Sequence, residues 1–203
     1  MKKNTISILL LITLVSTQLL AKNTKTAEFK TFKFSIEKPD DWFDITVENY
    51  AEQLNQIKTL DEDFNELIKK HAKIPFFAIT KYKEPHDDLN PSLKINIKPA
   101  GNLDLSKPEL IVKALLSFME TKFSNFKIIE EPKLIKINGQ QAGYARFSYT
   151  LKVDDDVSFD TSSALWILPH NGQFFLIGAG YRSDEKNGKF EEIKKIVNSI
   201  ILY

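Results

Sequence analysis

The stretch 82–91, Tyr-Lys-Glu-Pro-His-Asp-Asp-Leu-Asn-Pro, holds the densest reactive chemistry in the chain. His86 stands beside Asp87 and Asp88, with Glu84, Asn90 and Tyr82 close by. An imidazole and neighbouring carboxylates are suitable ligands for a divalent metal, so His86, Asp87 and Asp88 are the candidate metal ligands. The same His86 and Asp88 could serve a hydrolase, provided they converge in a cleft with perturbed protonation. Against both stands the plainer reading of a solvated loop, since Asp, Asn and Pro are the residues from which tight turns are made. The turn chemistry favours that plainer reading.

Other candidates are scattered. None of the three histidines, His71, His86 and His170, falls in a His-x-x-x-His spacing, and neither Gly-x-Ser-x-Gly nor a phosphate-binding loop occurs. A Ser-His-Asp triad assembled from distant residues stays open, because its members need not be neighbours in sequence. Asp154, Asp155, Asp156 and Asp160 lack the glycine and the distal glutamate of a calcium loop, and read as a hairpin tip. Trp42 and Trp166 could stack a ligand, although a tryptophan after a Pro-x-x turn suits a core plug. Arg146 and Arg182, the only arginines, are candidates for anion contacts, with an internal ion pair the preferred role. Gly178-Ala179-Gly180 permits close approach of a ligand or marks a bulge. The speculative ligand site is therefore Tyr82, His86, Asp87, Asp88, Asn90, Trp42 and Arg146. No cofactor is implied. The absence of cysteine excludes disulfides, thiol nucleophiles and thiolate metal sites.

The elements that must position these residues follow from apolar periodicity. Alternation from Phe29 to Ile36 predicts a strand ending at Pro39, before the turn that carries Trp42. Residues 47–72 predict one or two amphipathic helices, broken near Thr59-Leu60-Asp61, with Pro75 as a stop. Phe76 to Tyr82 and the stretch around Leu93, Ile95 and Ile97 predict strands on either side of the His86 loop. Ser106-Lys107-Pro108-Glu109 fits a capping box, opening a helix with Leu110, Ile111, Ala114, Leu115, Phe118 and Met119 as its core stripe. The second half predicts strands at 126–129, 134–137, 143–151, 159–168 and 173–181, with hairpin turns at Asn138-Gly139 and Asn171-Gly172. A final helix over 189–202 presents Phe190, Ile193, Val197 and Ile200. The fold class is α+β, a central twisted and mainly antiparallel sheet with helices packed on its faces.

The N-terminus predicts export. Lys2 and Lys3 precede an apolar stretch from Ile6 to Leu20, and Ala21 offers a small residue for cleavage. That stretch is shorter than the ~20 apolar residues of a membrane-spanning helix, so no stable span is expected after cleavage. The expected organisation is a signal peptide at 1–21, a flexible mature terminus at 22–28 and a single domain at 29–203. Loss of Lys2 and Lys3 from the 28 basic residues leaves 26 against 27 acidic ones, a net charge of −1. Such a balance argues against a nucleic-acid partner, which usually calls for a clustered basic face. The expected location is periplasmic or secreted.

Residues Phe32 to Ile36 followed by Glu37-Lys38-Pro39-Asp40-Asp41-Trp42 resemble the first strand and Pro-x-x-Trp turn of the PsbP-like family. Ile135 to Ala142, continuing to Tyr149, is similar to that family's strand, glycine turn and long strand, and Phe190 to Ile201 to its terminal helix. The resemblance implies an α/β/α sandwich and a protein that binds or assembles with others, here an envelope partner of unknown identity. The segment 47–72 is longer than the family's usual connection, and no residue matches a manganese or photosystem role. The function read from the sequence is an exported, non-enzymatic binding or assembly module. An enzyme of hydrolase type, or a metal-binding protein using the 82–91 loop, ranks second.

Overall fold

A computed structural model describes residues 23–56, 66, 74–153, 157–184 and 189–203, without the side chains of 53–56. The expected signal segment, the helix break at 59–61, His71 and Asp154 to Asp156 lie outside the described residues.

The chain runs β1 (Thr24–Phe29), a 3-10 turn (Lys30–Phe32), β2 (Phe34–Pro39), β3 (Phe43–Asp44) and α1 (Val47–Gln56). It continues through β4 (Phe77–Thr80), β5 (Ser92–Pro99), α2 (Pro108–Glu120), β6 (Ser124–Ile137) and β7 (Gln140–Lys152). The last elements are β8 (Ser158–His170), β9 (Gln173–Arg182), α3 (Lys189–Asn198) and β10 (Ile201–Leu202). Seven strands form one sheet in the order β3-β4-β5-β9-β8-β7-β6, and β1-β2-β10 form a second. Every pairing is antiparallel.

Two apolar layers sandwich the large sheet. On one face Trp166, Phe175, Ile177 and Tyr181 meet Phe34 and Ile36 of β2 and Phe190, Ile193 and Val197 of α3. On the other, Ala145, Phe147, Leu165, Ile167 and Phe174 meet Ile111, Val112 and Leu116 of α2. Each large side chain buried in these layers contributes on the order of 2 kcal/mol. The strict alternation along β7 divides its residues between the two layers, with Tyr144 on one and Ala145 and Phe147 on the other. The hairpins predicted from sequence form as expected. Asn138 and Gly139 have φ of 44° and 84°, and Asn171 and Gly172 have 48° and 72°, the left-handed pairs that a two-residue turn of twisted strands demands.

Several local expectations are corrected. The segment read as a flexible terminus is β1, paired with β2 from Thr24↔Pro39 to Phe29↔Phe34. The strand expected over 29–36 is interrupted by the 3-10 turn, with Lys33 at φ 50°. The two strands expected at 126–129 and 134–137 are one, β6, whose register shifts around Glu130 and Lys133. Pro132 is tolerated there because β6 is an edge strand and can leave one ladder bond unmade.

The capping box does not form either. Ser106 turns its hydroxyl and its N–H to Asp104 Oδ1, at 2.6 and 3.0 Å, and Lys107 occupies the cap without a side-chain bond. Helix α2 is apolar over so much of its circumference that the sequence does not settle which stripe faces the sheet. The buried set is Pro108, Ile111, Val112 and Leu116, whereas Leu110 and Phe118 are about half exposed.

Candidate functional site

Residues 82–91 form a loop between β4 and β5 whose shape is held from within. The Asn90 side chain closes its neck: Oδ1 accepts from the Tyr82 N–H at 3.0 Å, and Nδ2 donates to the Tyr82 carbonyl and to Glu84 Oε1, each at 2.9 Å. The Tyr82 and His86 rings stack with centroids 4.6 Å apart. Arg182 Nη1 donates to Asp88 Oδ1 at 2.9 Å. Partial burial pushes the Asp88 carboxyl up, but its bonds from Arg182 and the Leu89 N–H outweigh this and hold it below its ordinary range. Asp87 is exposed.

Tyr82, His86, Asp88 and Asn90 thus share one loop, and the structure shows what pairs their groups. Asp88 is committed to a guanidinium and Asn90 to the backbone. Among the described residues, no three His, Asp or Glu side chains gather at metal-binding spacing.

Trp42 and Arg146 lie outside the loop, and Trp42 is linked to it through Glu192 and Lys189, whose ammonium bonds Glu192 at 3.1 Å and stands 5.7 Å from the Tyr82 ring centre. Trp42 is a core plug, 1% exposed, in a turn closed by its own N–H on the Pro39 carbonyl at 3.0 Å. Its Nε1 reaches Glu192 of α3 at 3.4 Å. Beside it Lys81, nearly buried, donates to Asp41 Oδ2 at 2.6 Å and to Glu192 Oε2 at 2.8 Å, and lies over the indole. Arg146 lies flat on the Phe190 ring at 4.0 Å, donates through Nε to the Tyr181 hydroxyl at 3.1 Å, and approaches Glu130 at 3.4 Å. Tyr144 donates to the same carboxylate at 2.8 Å. Burial raises the Tyr144 hydroxyl well above its usual range, and the bond to Glu130 adds to that. Both clusters fasten α3 and the strands to each other, and each of their principal charges has an opposite charge beside it.

The open concavity lies elsewhere, where sequence reasoning placed nothing. A groove of about 600 Å³ runs between α2 and the ends of β5 and β9. Leu110, Ala114 and Leu115 of α2 form one wall, Phe174 and Leu176 the floor, and Pro99 and Leu103 of the β5–α2 connection the far side. Lys98, Asp104 and Lys107 complete the lining. The helix needs only part of its apolar circumference to cover the sheet, and the remainder, with half-exposed Leu110 and Leu103, faces this space. The sequence signal was the surplus of apolar residues on α2, which a single-stripe reading absorbs into the core.

The chain overlays LpqN of Mycobacterium tuberculosis, involved in cell envelope biogenesis, with a TM-score of 0.52 and 13% identity, over 83% of this chain and 82% of that one. Cyanobacterial PsbP (CyanoP) of Synechocystis sp. PCC 6803 gives 0.49 at 12% identity, over 92% and 96%. The Ran-binding protein Mog1p of Saccharomyces cerevisiae gives 0.47 at 8%, over 90% and 96%. The α+β fold is one it shares with LpqN. No model of a known family matches the sequence, and neither does any curated protein. Identities this low speak for the fold alone, so no site residue passes from those proteins to this one. Among the described residues, no helix is long and apolar enough to cross a membrane.

Proposed function

We propose that this protein is an exported, non-enzymatic binding module that receives an apolar ligand in the groove between α2 and the β5 and β9 strand ends. The groove itself carries the reading. Its volume of about 600 Å³ is that of an ordinary small-molecule site, and its walls are apolar with a few polar groups at the margin, as such sites are built. The His86 loop offers no comparable concavity in support of a second reading: His86 stacks on Tyr82, and Asp88 is paired with Arg182 at 2.9 Å. Export rests on the charged and apolar pattern of residues 2–21. The envelope role named for LpqN is in keeping with it.

Titration with the fluorescent apolar probe N-phenyl-1-naphthylamine tests the groove. Saturable binding is expected, abolished by Ala114→Trp, which fills the space from the helix side without entering the core. No saturable binding, or equal binding by the variant, would overturn the proposal. N-terminal sequencing of the mature protein tests export, and an intact Met1 would count against it.

A further inference from the structure

The groove is not uniformly apolar, and its polar groups are unequal. Asp104, the one acidic residue in the lining, already accepts two hydrogen bonds from Ser106, at 2.6 and 3.0 Å. Lys98, at the end of β5, and Lys107, at the cap of α2, line the groove from different walls, and neither forms an ion pair among the described residues. The rest of the lining apart from Asn102 is hydrocarbon. A lysine on the margin of an apolar surface lays its methylenes along that surface and leaves its ammonium at the mouth. Two such ammonium groups against one carboxylate leave a net positive charge, a place for an anionic head at the edge of a space that takes an apolar chain.

We infer that the ligand of this groove is a single-chain amphiphile with an anionic head, a carboxylate or a phosphate, taken up as a free monomer. Its chain lies along Leu103, Leu110, Ala114 and Phe174, and its head meets Lys98 and Lys107. The inference rests on the proposed groove function and adds the charge of the ligand to it. A monomer suits the geometry because the apolar surface is concave and bounded by a polar margin on the β5–α2 side, whereas a membrane surface would need a protruding apolar face.

Matched decyl amphiphiles separate the possibilities: decanoate, decyl maltoside and decyltrimethylammonium, each kept below its micellar concentration and followed by calorimetry. Decanoate is expected to bind about tenfold more tightly than decyl maltoside, as one charge-assisted contact predicts, with the cationic ligand weakest. The double variant Lys98→Gln/Lys107→Gln should erase the preference for decanoate while still binding decyl maltoside. Equal affinity for all three, or a preference that survives the double variant, overturns the anionic head and leaves the apolar groove standing. Failure of all three to bind overturns both. Stronger association with phosphatidylglycerol vesicles than with decanoate overturns the monomer.

Discussion

Gly143 of β7 lies against the carbonyl group of Pro108 at the start of α2: a Cβ at position 143 would stand 2.3 Å from that oxygen and 2.4 Å from its carbon. Both are backbone atoms, so no side-chain rotation relieves the contact. Gly143→Ala must lift the first turn of α2 from the sheet, and overpacking of this kind costs roughly 1–3 kcal/mol. The lower urea midpoint should be accompanied by weaker probe binding, because Leu110 and Ile111 of the same turn line the groove. An unchanged midpoint would show that the helix can shift freely here.

The buried Lys81 gives a second prediction. It pairs with both Asp41 and Glu192, and Glu192 in turn accepts from Trp42 and from Lys189. Lys81→Met takes the shared cation from Asp41 and leaves Glu192 to Lys189, which donates to it at 3.1 Å, at a cost of about 1–2 kcal/mol because both carboxylates reach solvent. Adding Glu192→Gln should restore part of that loss by relieving the repulsion between the two carboxylates. Trp42 emission reports the cluster directly, and a Lys81→Met protein with native stability would refute its role as the shared counter-charge.

The β4, β5 and β7 to β9 strands and both hairpin turns were legible in the sequence because each depends on few residues: alternation along β7, and an Asn-Gly pair that readily accepts two positive φ angles. The orientation of α2 was not legible, since Leu110, Ile111, Val112, Leu115 and Leu116 admit more than one buried stripe and only the sheet decides between them. The partners of the candidate site residues were not legible for a related reason. The His86 loop has the residues of a metal site, but sequence cannot show that Arg182, 94 positions from Asp88, satisfies that carboxylate. Nor can it reveal a concavity formed by residues from β5, α2 and β9.

The Asp88–Arg182 pair predicts how the 82–91 loop behaves. Both side chains are substantially exposed, so Arg182→Ala should leave the urea midpoint nearly unchanged. Zinc or manganese at micromolar concentration should leave the melting temperature of the wild-type protein unchanged, because the best-placed carboxylate has a cation already. A clear thermal shift with either metal would revive His86, Asp87 and Asp88 as ligands.

Lys94 sets a pH dependence. It projects from the middle of β5, half-buried, with its ammonium 5.2 Å from the Tyr50 ring centre. Burial lowers its pKa from 10.5 to about 8, against the partial support of the Glu84 carboxylate. Below pH 8 the folded and unfolded states both hold the proton, and the folded state bears the full cost of the desolvated charge. Between about 8 and 10.5 the folded state releases its proton first, so the unfolded state binds more protons and stability rises with pH. Lys94→Met should therefore be more stable than wild type at pH 7, by on the order of 1 kcal/mol once solvent access to the half-buried amine is allowed for. Its advantage should shrink as pH climbs from 8 towards 10. Comparing the two proteins at each pH cancels the opposing effect of Tyr50, whose hydroxyl is itself pushed up by burial. Urea midpoints that run parallel over this range would mean that Lys94 titrates as an ordinary surface amine.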